Sequence, residues 1–178
     1  MTDRALVNRV FRHIVDDRAL LGETRRLLRS GTAAALVGPL GRLLPADVRP
    51  AEERDWLDGV VLLTRVGHMA DGDLMPVARL LGFAARDRKR APGIDRRMGA
   101  ALGAPRDDLP HHLATLVSLL GTDAQRIDWG VLVRDFGSWD YGENRVQYAW
   151  GHDYRWACGQ IVGEIEEPDT STPTPVGV

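Results

Sequence analysis

Few residues of this 178-residue chain carry the types and spacing that chemistry needs. His111 and His112 are adjacent, which on a helix sets them about 100° apart, whereas one metal ion would need the i, i+4 spacing that stacks two ligands on one face. His68, Asp71 and Asp73 could form a metal or acid-base cluster, but the stretch around them (ADGD, Ala70 to Asp73) reads more simply as a solvated turn. Cys158, the single cysteine, falls on the apolar side of a predicted helix without an obvious activating neighbour in sequence, so it reads as a buried structural thiol. The chain lacks G-x-x-x-x-G-K-[ST], G-x-S-x-G, H-E-x-x-H and paired C-x-x-C, and with them any candidate phosphate loop, serine-hydrolase elbow or common zinc site. The expectation is a protein that is not an enzyme, with no catalytic residue, no metal and no cofactor.

Arginine offers a different chemistry. Between residues 86 and 106 stand Arg86, Arg88, Lys89, Arg90, Arg96, Arg97 and Arg106 against only Asp87 and Asp95, a segment able to neutralise several phosphates without reading bases. Arg25, Arg26 and Arg29 form a second cluster. Lys89 is the only lysine in the chain. Arginine binds phosphate bidentately and stacks on bases, yet a genome rich in G and C gives the same bias, and each cluster alone is more often a solvated helix face. The net charge of −2 hides an uneven distribution. Four acidic residues (Glu164, Glu166, Glu167, Asp169) and no basic one lie in 164–178, which leaves the rest of the chain slightly basic.

Positioning these residues requires a folded body, and composition allows one: 44% hydrophobic and 27% charged residues are ordinary for a globular protein. The length suits one domain, or two small helical halves sharing a core. No apolar run approaches the roughly 20 residues of a membrane-spanning helix, and no segment resembles a signal peptide, so a cytoplasmic protein without membrane contact is expected.

Helical periodicity recurs and two-residue alternation is nowhere sustained, which predicts an all-α fold. Leu6, Val10 and Ile14, flanked by Val7 and Phe11, give an amphipathic first helix. A short second helix is expected over Glu23 to Arg29, ended by Gly31, and a kinked or split one over residues 33–44, where Gly38, Pro39 and Gly41 interrupt an apolar run. Pro50 starts the next, with Glu52 and Glu53 in its first turn and Trp56, Leu57, Val60, Val61 and Thr64 as its buried stripe. Another begins near Pro76. Residues 86–97, mixing charge, proline and glycine, read as an exposed connection between halves, 1–90 and 91–163. Beyond it, Leu109, Leu113, Leu116, Val117 and Leu120 mark a helix with Pro110 at its start and Gly121 at its end. Asp128 should cap a helix carrying Trp129, Leu132, Val133, Phe136 and Trp139, and Val146, Trp150, Tyr154, Ala157 and Ile161 outline a last one. The acidic, proline-rich tail over 164–178 is read as disordered.

The order of several segments resembles the CasB family. These are TRRLLRSG, ARLLG, DRRMGAALGAPRDDLPHHLATLVSLL, IDW and SWDYGENRVQYAW, and the similarity spans roughly residues 4 to 158, strongest from Asp95 to Tyr154. CasB proteins are the small subunits of type I-E Cascade, a CRISPR surveillance complex of antiviral defence. The resemblance implies two small helical bundles and no catalysis. It implies as partners the other Cascade subunits and crRNA, a second copy of the chain, and the displaced non-target DNA strand of the R-loop. Carried over by motif, the phosphate-contact candidates are Arg25, Arg26, Arg79, Arg96, Arg97, Arg106 and Arg145, to which the charge run adds Arg88, Lys89 and Arg90. Trp129 and Trp139 match family positions, but their spacing makes them core residues. Guide pairing would supply sequence recognition, so arginines on rigid helices with few exposed aromatics suit a backbone-binding role. His111 and Ala114 stand where the family often has arginines, and the link from Asp87 to Asp95 is shorter than usual. The alternative is a free-standing helical DNA-binding regulator, which would need Arg, Asn, Gln or Ser along one recognition face, and no helix shows that set.

Overall fold

Three of the described helix starts are set by aspartate side chains. In a computed structural model that describes residues 3–29, 39–46, 48–87 and 89–159, the Asp3 carboxylate accepts from the Ala5 amide at 2.8 Å and opens α1 (Arg4–Asp16). Asp17 accepts from the Ala19 and Leu20 amides at 2.9 and 3.0 Å, so α2 (Arg18–Arg29) begins five residues earlier than its apolar pattern suggested. A short α3 (Pro39–Leu43) precedes α4 (Pro50–Val66), which has proline in its first turn and Gly67 at its end with φ 72°. Then follow α5 (Val77–Ala84), α6 (Ala91–Leu102), α7 (Leu109–Leu120), a 3₁₀ turn (Gly121–Arg126), α8 (Trp129–Gly137) and α9 (Arg145–Cys158). Asp128 caps α8 as expected, accepting from the Val131 amide at 3.1 Å.

The fold is all-α. Among the described residues there is no strand, only an isolated parallel bridge between Met75 and Ile127, through which the loop before α5 is tied to the end of the 3₁₀ turn. Residues 33–38, Gly31, Arg88, Ile161 and the tail over 164–178, for which expectations were stated, lie outside the described residues.

Two expected details change. The exposed connection over 86–97 is mostly helix: the Asp87 carboxylate accepts from the Lys89 amide, its carbonyl accepts from Arg90 and Ala91, and α6 starts at once with Pro92 in its first turn. Ile94 and Met98 bury one face of it. On α4 the stripe is wider than a single seam, because α1, α2, α7 and α8 all pack against this helix. Leu62 and Leu63 are therefore fully buried, while Val61 and Thr64 are half-buried.

Chain order and packing order differ. The C-terminal α8 lies against α1 and α4, whereas α5, from the first half, lies along the last helix, α9, with α6 and α7 nearby. One continuous apolar cluster joins both groups, from Val7 to Tyr154. Two glycines allow the closest approaches: a Cβ at Gly82 would run into the Tyr154 carbonyl and the Ala157 methyl, and one at Gly130 into the Arg4 backbone.

Candidate nucleic-acid interface

Helix α9 is a ridge between two open clefts. Its Arg145, Val146, Ala149, Trp150 and Asp153 line one, about 470 Å³, whose other wall is α8 and the start of α1. On its opposite flank, Gln147, Tyr148, Gly151, His152 and Arg155 line a larger one, about 970 Å³, facing Asp95, Met98, Gly99 and Leu102 of α6.

The smaller cleft gathers arginines from three elements. Arg4 from α1, Arg134 from α8 and Arg145 from α9 share its rim, 141 residues apart at the extremes of the chain. Each acid beside them is already engaged. Asp128, fully buried, holds Arg4, accepts from Asn8 Nδ2 at 3.0 Å and caps α8. Asp135 accepts from Trp150 Nε1 at 2.7 Å and from Arg134 at 3.0 Å, and burial pushes its carboxyl above the usual carboxylate range against the pull of these two donors. Asp153 accepts from Arg79 Nη2 at 2.9 Å. The guanidinium of Arg145 is exposed and has no hydrogen-bond or ion-pair partner among the described residues. An anion entering this cleft therefore meets cations at the rim and carboxylates whose charge is spent at the floor.

The other expected contacts fall into three kinds. Arg26, Lys89 and Arg96 are exposed, Arg26 with only a loose pair to Glu23 at 3.7 Å and the other two side chains without a partner among the described residues. Arg25, Arg79, Arg90 and Arg97 are partly committed. Arg25 staples α2 to α4 through the Thr64 carbonyl (3.1 and 2.7 Å), Arg90 donates to the Leu119 carbonyl, and Arg97 donates to Gly93 of its own helix at 3.0 Å. Arg79 also lies over the Trp156 ring, 4.9 Å from its centroid.

Arg106 differs from all of them, and the expectation of a phosphate contact there is revised. Only 8% of the residue is exposed. Its Nη2 donates to Asp55 at 2.5 Å and Asp58 at 2.8 Å, its Nε to the Phe136 carbonyl at 3.0 Å, and its carbon lies 4.5 Å from the Phe136 ring centroid. It locks the loop before α7 onto α4 and α8. Burial raises the Asp55 carboxyl above its ordinary range, with Arg106 opposing that rise.

Sequence reasoning missed Arg4, Arg134 and Arg155, which stand singly in the chain; packing between distant elements brings Arg4 and Arg134 to one cleft, and Arg155 lines the other. It also undercounted exposed rings: Tyr141, Tyr148 and Trp156 are 74%, 75% and 58% exposed. Trp129 and Trp139 are fully buried as expected, Trp139 just beyond α8 with its Nε1 donating to Ala104 at 2.9 Å. Cys158 is half-buried, and burial raises its thiol pKa, which disfavours the reactive thiolate.

Comparison with known proteins agrees with this architecture. The family profile of CRISPR-associated protein Cse2 matches residues 21–154. A CRISPR-associated protein of the Cse2 family from Thermus thermophilus superposes with a TM-score of 0.67 at 23% identity, covering 88% of this chain and 100% of that one. CasB of M. ruber gives 0.66 at 21%, covering 88% and 95%. A chain of a CRISPR RNA-guided surveillance complex gives 0.64 at 26% identity, covering 86% and 90%. No curated protein matches at comparable significance.

Proposed function

Because this chain belongs to the CRISPR-associated Cse2 family, we propose that it is a non-catalytic small subunit of a Cascade-type CRISPR surveillance complex that grips nucleic-acid backbone. Its ligand in this reading is the displaced non-target strand of the R-loop, held so that the duplex does not close again. The observation that carries the reading is the rim of Arg4, Arg134 and Arg145, drawn from three elements onto one open cleft with an unpaired guanidinium among them. Similarity to a chain of an RNA-guided surveillance complex supports it from a second side. Such a subunit needs no sequence readout, since the guide pairs with the target and the protein need only neutralise phosphate. Its partners would be the other subunits, crRNA and a second copy of itself. The exposed cations Arg26, Lys89, Arg96 and Arg145, and the partly committed Arg25, Arg79, Arg90 and Arg97, extend the contact surface in this reading, as does Arg88.

The test is single-stranded DNA affinity measured against salt. Each phosphate contact contributes about 0.7 to the slope of log affinity on log salt concentration, so Arg96→Glu with Arg97→Glu should weaken binding at low salt and flatten the slope. Affinity untouched by the reversal, or tight binding to one particular duplex sequence, overturns the proposal.

A further inference from the structure

The outer face of α9 carries more than charge. Arg145, Tyr148, His152 and Arg155 follow one another at i, i+3, i+7 and i+10, a spacing that keeps all four within one sector of the helix. All four are exposed. They extend over a rise of about 15 Å, enough for roughly four stacked nucleotides. Tyr148 is the most exposed large apolar side chain among the described residues, although Met98, Leu102 and Ala104, against which an aromatic ring could have been buried, line the same cleft. Gly99, Gly103 and Gly151 leave that cleft's walls without side chains, and nothing lies within 4 Å of a Cβ at Gly99.

From this arrangement we infer that the α9 stripe is a base-stacking platform, on which bases of single-stranded DNA lie against Tyr148 in the α6–α9 cleft while the strand's phosphates meet Arg145 and Arg155. This rests on the backbone-binding reading above and adds to it a contact with the bases. The chemistry of the cleft selects that occupant. An apolar floor of Met98, Leu102 and Ala104 accepts a flat ring, and the exposed Tyr148 ring offers one face. Cations stand on either side of the tyrosine along the helix, at the pitch where a strand's phosphates would pass. Of the two acids lining the cleft, Asp95 accepts from the Tyr154 hydroxyl at 2.5 Å, and Asp140 is exposed. Stacking tolerates every base, so the platform is consistent with a subunit that reads no sequence.

The experiment compares the full chain's affinity for an unstructured DNA strand with that for an abasic phosphodiester strand of equal length, for wild type, Tyr148→Ala and Tyr148→Phe. Tyr148 is surface-exposed, so both variants should fold. Wild type is expected to prefer the base-bearing strand by about fivefold or more. Tyr148→Ala should abolish that preference with an unchanged salt slope, and Tyr148→Phe should keep it. Equal affinity of wild type for the two strands, or a preference that survives Tyr148→Ala, overturns the stacking platform while backbone binding stands. If wild type binds neither strand, the backbone reading falls and the platform with it.

Discussion

Arg106 shows how one position can belong to a basic segment and yet serve the core. In sequence it closes the run from Arg86, seven basic residues against two acidic, and nothing local separates it from Arg96 or Arg97. What separates it is Asp55 and Asp58, 51 and 48 residues away, which face it from α4. Taking away one partner of a buried ion pair leaves an uncompensated charge, so Arg106→Leu should cost roughly 3–5 kcal/mol in stability. Chemical denaturation measures the loss. The salt dependence of DNA binding by the folded variant should not change, whereas a phosphate contact at this position would have contributed about 0.7 to the slope. The exposed cations are the reverse case: Arg26, Lys89 and Arg96 stand in the charge clusters and are exposed, as charged side chains mostly are. Arg4 and Arg134 carried no such mark. Each stands outside the basic clusters and beside an aspartate in sequence, Asp3 and Asp135.

Most helices could be located from the sequence, and the reason is amphipathicity combined with caps. Leu109 to Leu120 and the Asp128-capped α8 were legible because an apolar stripe and a boundary signal coincide. The start of α2 was not, since Asp17 is a cap followed by only one apolar pair before Gly22 and Glu23 break the stripe. The 3₁₀ turn over Gly121–Arg126 was hidden for a related reason: six residues are too few to show a period, and its position is fixed by backbone bonds to Ala70 and Met75. Gly82 in α5 carries no sequence signal of its role, yet it permits close packing with α9. The Cβ of Gly82→Ala would press on backbone atoms of α9 that cannot rotate away, so despite alanine's better helix propensity the variant should lose about 1–3 kcal/mol. A thermal melt of the two proteins decides it, and an unchanged or raised midpoint would mean that the two helices separate freely.

The whole molecule brings the two flanks of α9 within reach of one strand. Arg4 and Arg134 of the α8–α9 cleft stand on one side of this helix and Tyr148 with its cleft on the other, Arg145 belongs both to the first cleft and to the Tyr148 stripe, and only the helix width, about 10 Å, lies between the two sides. Pairwise patterns in the sequence could not reveal this, because the ridge is made when α5 pins α9 down between elements from opposite ends of the chain. Two sites joined by a continuous ligand bind it more tightly than either site alone, provided the ligand is long enough to reach both. A strand of about three nucleotides can occupy one flank, and about eight are enough to cross the ridge and fill both, given a base spacing of about 3.4 Å and some slack in an unpaired backbone. Affinity for single-stranded DNA should therefore climb steeply between those lengths and level off beyond them, as read by fluorescence anisotropy on a length series. Reversing Arg134 and Arg145 together should remove the climb and lower the short-strand affinity of the Tyr148 flank only by the share of Arg145, with its preference for base-bearing strands kept. A smooth increase with length that continues past about ten nucleotides and ignores the two reversals would instead describe diffuse attraction to a basic surface, with no strand crossing the ridge.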